Sequence, residues 1–255
     1  MSGYGDFSAF YDVLMTDVDY AARAEYLLRL FDRHGAKPRS ILDIACGSGS
    51  LLAELQKHGV DTIGVDGSDA MLMRAREKLG SEALLLEQDM CELDLYGTVD
   101  GAVCTLDSLN HLCRTEQIAE VFRRARLFVE PNGLLIFDVN TIYKHREVLG
   151  DTAFVAEQAG LMCVWRNHYL PRTHEVSMLL DFFVEEADGS YTRYEDTVRE
   201  RAYSERTLRC LLAETGWETM AVYGDMTTEA PTDTCERMVF VARNTRTVEQ
   251  AQKGE

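Results

Sequence analysis

The chain has 255 residues, 46% of them hydrophobic, which suits one large domain, or a domain with an insertion, that buries a full core. Twenty-six basic residues against 43 acidic ones give a formal charge of −17. That balance argues against a duplex nucleic-acid partner and against an anionic membrane surface, because both are held through Lys and Arg. No apolar run approaches the ~18–20 residues of a membrane-crossing helix, and the opening residues lack the basic and apolar regions of a signal peptide.

Residues 6–15 and 20–34 read as helices. In the second, Tyr26, Leu27, Leu30 and Phe31 form one apolar stripe, and Gly35 ends it. Strand and helix patterns then alternate. Strands are expected at 40–45, 62–65, 83–86, 101–106 and 133–139, and helices at 50–58, 69–79 and 115–129. Pro131, Asn132 and Gly133 mark the turn that introduces the fifth strand. Such alternation predicts a parallel sheet covered on both faces. After Asn140 the pattern changes to strand-like runs at 161–170, 175–186 and 191–201, separated by two turn signals, which predicts an antiparallel meander. Its third member is nearly all polar, so one face should meet solvent or a partner. A helix at 204–215, opened by Ser204, and strands at 218–223 and 237–242 complete the pattern. The expected class is α/β, a doubly wound, mostly parallel seven-stranded sheet with an inserted antiparallel β meander.

Seven cysteines, at 46, 91, 104, 113, 163, 210 and 235, include no C-x-x-C pair. They read as reduced thiols of a cytosolic (cytoplasmic) protein, and no metal site is expected.

The strongest chemical signal is the run Ile41, Leu42, Asp43, Ile44, Ala45, Cys46, Gly47, Ser48, Gly49, Ser50, a strand entering a glycine-rich turn and then a helix. Gly47 and Gly49 allow a sharp turn and a close ligand. The next strand ends in Asp66, 17 residues beyond Gly49. In an open α/β sheet neighbouring strand ends converge on one crevice, and a carboxylate there can accept from both hydroxyls of a ribose. Together these describe a nucleoside site. A dinucleotide turn would have a third glycine where Leu52 stands. Asp43 would also sit poorly beside a pyrophosphate, and it suits a cofactor bearing positive charge.

These residues resemble the class I S-adenosylmethionine-dependent methyltransferases, a Rossmann-like family. The matching stretches are 42–49; Val65, Asp66, Gly67 and Ser68 with Met71; Gln88, Asp89 and Met90; and 104–112, in family order across about 40–140. Ala45 departs from the family's usual glycine. The resemblance implies S-adenosyl-L-methionine as cofactor. Asp43, Ala45, Gly47 and Gly49 would line its methionine part, and Asp66 and Gly67 its ribose. Met71 would pack on the adenine, Asp89 would accept from its amino group beside the Met90 amide, and Leu106 with Asp107 would lie beneath the sulfonium. It further implies an N-terminal lid at 1–38, in which Tyr11 covers the methionine end and borders the acceptor. A cofactor-binding core would follow at 39–140, an inserted antiparallel cap at 141–203, the last helix and strands at 204–243, and a flexible tail at 244–255.

The run 107–112 is similar to glycine and amino-sugar N-methyltransferases, in which a histidine borders the acceptor. Asp107 and His111 are the expected catalytic pair, on one side of a helical turn, with Asn110 beside them as an acceptor contact. Trp165, Arg166 and Tyr169 of the meander are further acceptor contacts. The implied function is methyl transfer to a small-molecule acceptor, at nitrogen ahead of oxygen, with a homodimer through the meander as a further expectation. The alternatives are a nicotinamide-dependent oxidoreductase and a non-catalytic S-adenosylmethionine-binding module.

Overall fold

The computed structural model describes residues 18–80, 83–158 and 160–247. The expected helix at 6–15 and its Tyr11 lie outside them. Helix α1 (Tyr20–Arg33) is capped by Asp19, whose carboxylate accepts from the Ala22 N–H at 2.9 Å. Seven strands form the main sheet: β1 (Ser40–Ile44), β2 (Asp61–Asp66), β3 (Leu84–Glu87), β4 (Val99–Cys104), β5 (Val129–Asn140), β10 (Trp217–Gly224) and β11 (Arg237–Asn244). Their order is β10-β11-β5-β4-β1-β2-β3. The pairs from β3 to β5 are parallel, and β11 runs antiparallel to both its neighbours. This is the mixed, mostly parallel sheet the alternation implied.

Strand residues alternate between two apolar layers. Leu134 and Ile136 of β5 pack with the Leu27, Leu30 and Phe31 stripe of α1 and with Leu51 and Leu55 of α2 (Ser50–Lys57). Leu135 and Phe137 face the other way, onto Ile118, Phe122 and Ala125 of α4 (Thr115–Phe128) and Leu208 and Leu212 of α5 (Glu205–Glu214). Helix α3 (Asp69–Leu79) covers the β3 end through Leu72 and Ala75. Both faces are therefore dry, as a parallel sheet requires.

Two boundaries differ from expectation. The turn at Pro131, Asn132 and Gly133 sits inside β5 as a bulge: Val99 pairs with Val129 but Gly101 with Leu134, and Asn132 takes a φ of 67°. Residues 244–246, expected to belong to the flexible tail, are held in place. Asn244 is fully buried, with Nδ2 donating to the carbonyls of Arg126 at 3.1 Å and Val129 at 2.7 Å, and Arg246 donates to the Leu127 carbonyl at 2.8 Å. These side chains occupy carbonyls at the end of α4 that would otherwise lack partners.

Between β5 and α5 lies a π-helical turn (Lys144–Leu149) and a second sheet, β6 (Ala153–Gln158), β7 (Leu161–Leu170), β8 (Glu175–Glu185) and β9 (Tyr191–Arg201), antiparallel throughout and in that order. The meander thus has four strands. All six residues of β6 are exposed, so no apolar alternation marked it in the sequence.

Asn244→Ala should destabilise the protein by about 1–3 kcal/mol, because buried carbonyls lose their donors. Thermal or urea unfolding measures this, and wild-type stability would remove the anchoring role.

Candidate active site

Parallel strands place the ends of β1, β2 and β4 on one edge of the sheet, and the chemistry-bearing turns follow those ends. After β1, Ala45, Gly47 and Gly49 have φ of 63°, 54° and 75°. The two glycines differ in use. Among the described residues a Cβ on Gly47 would meet nothing within 4 Å, so they leave room for a ligand there. A Cβ on Gly49 would lie 2.9 Å from the Ala75 Cβ of α3. Gly49 therefore lets α3 approach the turn. Leu52, at the third-glycine position, fits because β2 supplies the missing space: its Cδ1 lies 2.6 Å from where a Cβ on Gly64 would stand.

Asp66 is held by both turns. The Gly47 N–H donates to Oδ2 at 2.8 Å and the Ser68 N–H to Oδ1 at 2.9 Å. Burial raises its pKa, while the two amides and the positive potential of His111 oppose the rise. Asp43, one strand away, is buried and accepts no hydrogen bond among the described residues. Burial, and then the negative Asp66, push it well above the usual carboxylate range. Gly67 is open, with only the Gln88 carbonyl 3.9 Å from a would-be Cβ. Ser68 caps α3 through the Met71 N–H at 3.4 Å, and Met71 is buried. Beyond β3, Asp89 is exposed and caps a short 3₁₀ turn, accepting from the Cys91 N–H at 2.8 Å, with Met90 packed against the core.

After β4 the chain takes two successive left-handed residues, Leu106 (φ 56°) and Asp107 (φ 58°). Both amides donate to Asp138, at 2.9 and 2.8 Å. Asp107 Oδ1 pairs with Arg237 Nη2 at 2.7 Å. Burial alone would raise the Asp107 pKa, but Arg237, then Lys144 and His111, outweigh it and hold the carboxyl well below its usual range. His111 ends the 3₁₀ turn Ser108–His111 and acts electrostatically on both Asp66 and Asp107. The expected pair therefore shares one locality, although the turn is 3₁₀ and Asp107 stands outside it as its cap.

Four expected acceptor contacts look different in the structure. Asn110 is fully buried: its amide donates to the Arg201 carbonyl at 2.9 Å and the Asn140 carbonyl at 3.3 Å, and its Oδ1 accepts from the Asn140 N–H at 2.8 Å. With its capacity used inside the chain, it joins the two sheets and presents nothing to an acceptor. Trp165 and Tyr169 share one face of β7, as i and i+4 do in a strand, and Arg166 points to the other. The Arg166 guanidinium is committed to Asp181 at 2.5 Å. Tyr169 is buried against Leu149, Val176 and Met178, with its hydroxyl 2.9 Å from His174 Nδ1. Trp165 is half-buried, its indole N–H without a hydrogen-bond partner.

Sequence reasoning missed the polar joint around these residues. Glu200 of β9 accepts from Asn140 Nδ2 at 3.1 Å and lies 3.2 Å from Nε2 of the buried His145. It also missed Asp138, Arg237 and Arg23. Only Asp138 carried a signal, as a charge within the otherwise apolar end of β5.

A family model described as a methyltransferase domain matches residues 41–133. A putative methyltransferase of Geobacillus sp. (strain WCH70) is 33% identical over 246 residues, covering 94% of this chain and 99% of the relative. The dTDP-3-amino-3,6-dideoxy-alpha-D-glucopyranose N,N-dimethyltransferase of Streptomyces fradiae is 26% identical over 198 residues, covering 76% and 77%. The crystal structure of an S-adenosylmethionine-dependent methyltransferase from Clostridium acetobutylicum ATCC 824 matches with a TM-score of 0.83 at 26% identity, covering 95% and 99%. The chain belongs to the S-adenosylmethionine-dependent methyltransferases. Its cofactor is accordingly S-adenosylmethionine, and the nicotinamide alternative falls away. The described residues fit that cofactor: among them there is open space beside Gly47, a carboxylate fixed at the β2 end, and a buried acid without a donor at the β1 end.

Asp43→Asn should stabilise the ligand-free protein at pH 8, because the neutral amide escapes the penalty of a buried negative charge beside Asp66. The sign follows from linkage. A raised folded-state pKa means the charged form is penalised above it, and the penalty fades as pH falls toward the ordinary carboxylate value. The gain should therefore shrink on acidification. Unfolding curves at several pH values test this, and a destabilised variant at pH 8 contradicts it.

Proposed function

We propose that this methyltransferase acts on nitrogen of a small-molecule acceptor. When bound, S-adenosylmethionine supplies a methyl group on a positively charged sulfur, an excellent leaving group. The chain's task is then to orient the acceptor and exclude water. Asp43, Ala45 and Gly47 line the methionine part, with Gly49 shaping the turn from behind. Asp66 and Gly67 hold the ribose. Met71, Asp89 and Met90 border the adenine, and Leu106 lies beneath the sulfonium.

The observation that carries the choice of nitrogen is the Asp107–Arg237 ion pair at 2.7 Å. An alcohol must lose its proton as it attacks, which requires a base of suitable strength. A carboxylate held well below its usual range by Arg237 is a weak base and a good hydrogen-bond acceptor. It can orient an amine N–H, and a neutral amine attacks through its lone pair and sheds its proton afterwards. His111, on the same turn, receives that proton. The amino-sugar activity in the name of the Streptomyces fradiae relative supports the same choice.

The inserted sheet, 141–203, caps the site, with Trp165 the remaining acceptor contact of the meander. Val155, Leu179 and Tyr191 are exposed on the opposite face and form the contact of a homodimer. The seven free thiols suit a reducing cytosol.

Calorimetric titration with S-adenosylmethionine, S-adenosylhomocysteine and NAD, followed by mass-spectrometric assay against paired amines and alcohols, tests this reading. Methylation of alcohols in preference to amines would refute it. Asp66→Ala should weaken S-adenosylmethionine binding by about 1–3 kcal/mol through unpaired ribose hydroxyls. His111→Ala should lower turnover while leaving that affinity nearly unchanged; equal losses in both would show that His111 only shapes the cofactor site.

A further inference from the structure

We propose that Asp138 and Arg237 form a positioning pair for methyl transfer, fixing the Leu106–Asp107 turn and the carboxylate that this turn presents to the transferring methyl. This rests on the donor site assigned above. Neither residue belongs to that set, and both act through others.

Asp138, at the end of β5, is 1% exposed and spends both oxygens on the turn, one on the Leu106 N–H and one on the Asp107 N–H. Two successive side-chain-bearing residues in the left-handed region persist only when their surroundings over-determine them. Arg237 opens β11 beside the end of β5, in register with Asn140. Its Nη1 reaches Asp138 Oδ1 at 2.6 Å and its Nη2 reaches Asp107 Oδ1 at 2.7 Å. A planar guanidinium spans two carboxylates in this way, whereas a single ammonium does not. Arg23 of α1 supplies a second cation to Asp138 Oδ2 at 3.3 Å and continues to Asp225 at 3.3 Å. The bridge therefore ties β5, β11, the residue after β10 and α1 to one turn.

The charges acting on Asp107 are Arg237 from β11, Lys144 from the π-helical turn and His111 from its own turn, with Asp138 of β5 sharing the Arg237 guanidinium. Of these groups, Arg237 is the one in direct contact. Without it, two carboxylates share a buried locality and one of them takes up a proton more readily. The sulfonium of S-adenosylmethionine feels the Asp107 charge, while the neutral sulfur of S-adenosylhomocysteine does not. Asp43 and Asp66 serve parts common to both ligands, so they largely cancel in the ratio of affinities.

Calorimetry with both ligands from pH 5.5 to 8, on wild type, Arg237→Gln, Arg237→Lys and Asp138→Asn, tests the pair. In Arg237→Gln the preference for S-adenosylmethionine should fall on acidification by roughly tenfold more than in wild type, the scale of one charge-assisted hydrogen bond. Arg237→Lys keeps the charge but loses the second prong, and should give an intermediate profile. Asp138→Asn should narrow the preference at every pH. Thermal unfolding of each variant separates these effects from loss of fold. If Arg237→Gln does not fold, the lysine variant decides: a wild-type ratio across the pH range overturns the proposal. Wild-type protein that binds neither ligand would instead remove the donor-site reading itself.

Discussion

Two backbone amides from different turns converge on one carboxylate, Asp66, and most of the site depends on that junction. The Gly47 amide belongs to the turn after β1 and the Ser68 amide to the turn after β2. Because each occupies one oxygen, the carboxylate plane is fixed, and each oxygen retains accepting capacity toward a ligand. The junction forms because β1 and β2 are parallel neighbours, so their ends lie side by side. It also needs Gly49, since any side chain there would push α3, and with it the Ser68 cap, away from the first turn. Packing of a helix and orientation of an acid are thus one requirement.

The two sheets obey different physics. The main sheet is dry on both faces, and its strands read as nearly continuous apolar runs. The inserted sheet is wet on one side, so β9 alternates half-buried and exposed residues, and β6 is exposed throughout. The joint between the sheets is polar. Asn110, Asn140, His145 and Glu200 satisfy one another there and are almost wholly buried. A joint of this kind contributes little apolar stabilisation but specifies one arrangement, because each displaced member leaves another unpaired. It also sets the distance between β9 and the turn carrying His111.

What the sequence made legible was local. The Gly47–Gly49 turn, the acid at the end of β2 and the order of strands and helices each depend on residues within about one strand–helix unit, where periodicity and turn chemistry are informative. What it hid was set by distant partners. Asn110 looked like an acceptor contact because its amide partners lie 30 and 91 residues away. Arg237 carried no motif, since it meets Asp107 across 130 residues of chain. Gly49 was legible as a required glycine, yet its reason lies in Ala75, which only the packed structure reveals. Arg166 was grouped with Trp165 and Tyr169 by proximity in sequence, although strand alternation already separates their faces.

The treatment of the acids shows what the fold is organised to receive. Asp107 and Asp138 are both paired with an arginine of the chain itself. Among the described residues Asp43 has no such partner, and its charge is disfavoured by burial and by Asp66. A fold selected for stability alone would replace that acid with a neutral side chain. Retaining it makes physical sense where a cation arrives from outside to complete the pair, because the attraction in a poorly solvated pocket then offsets the penalty of the empty state. The unpaired acid at β1 and the paired acids after β4 and β5 therefore divide two tasks. Under the proposed function, the first would draw a positively charged donor into the turn, and the second would keep the groups beneath its sulfur from relaxing toward it.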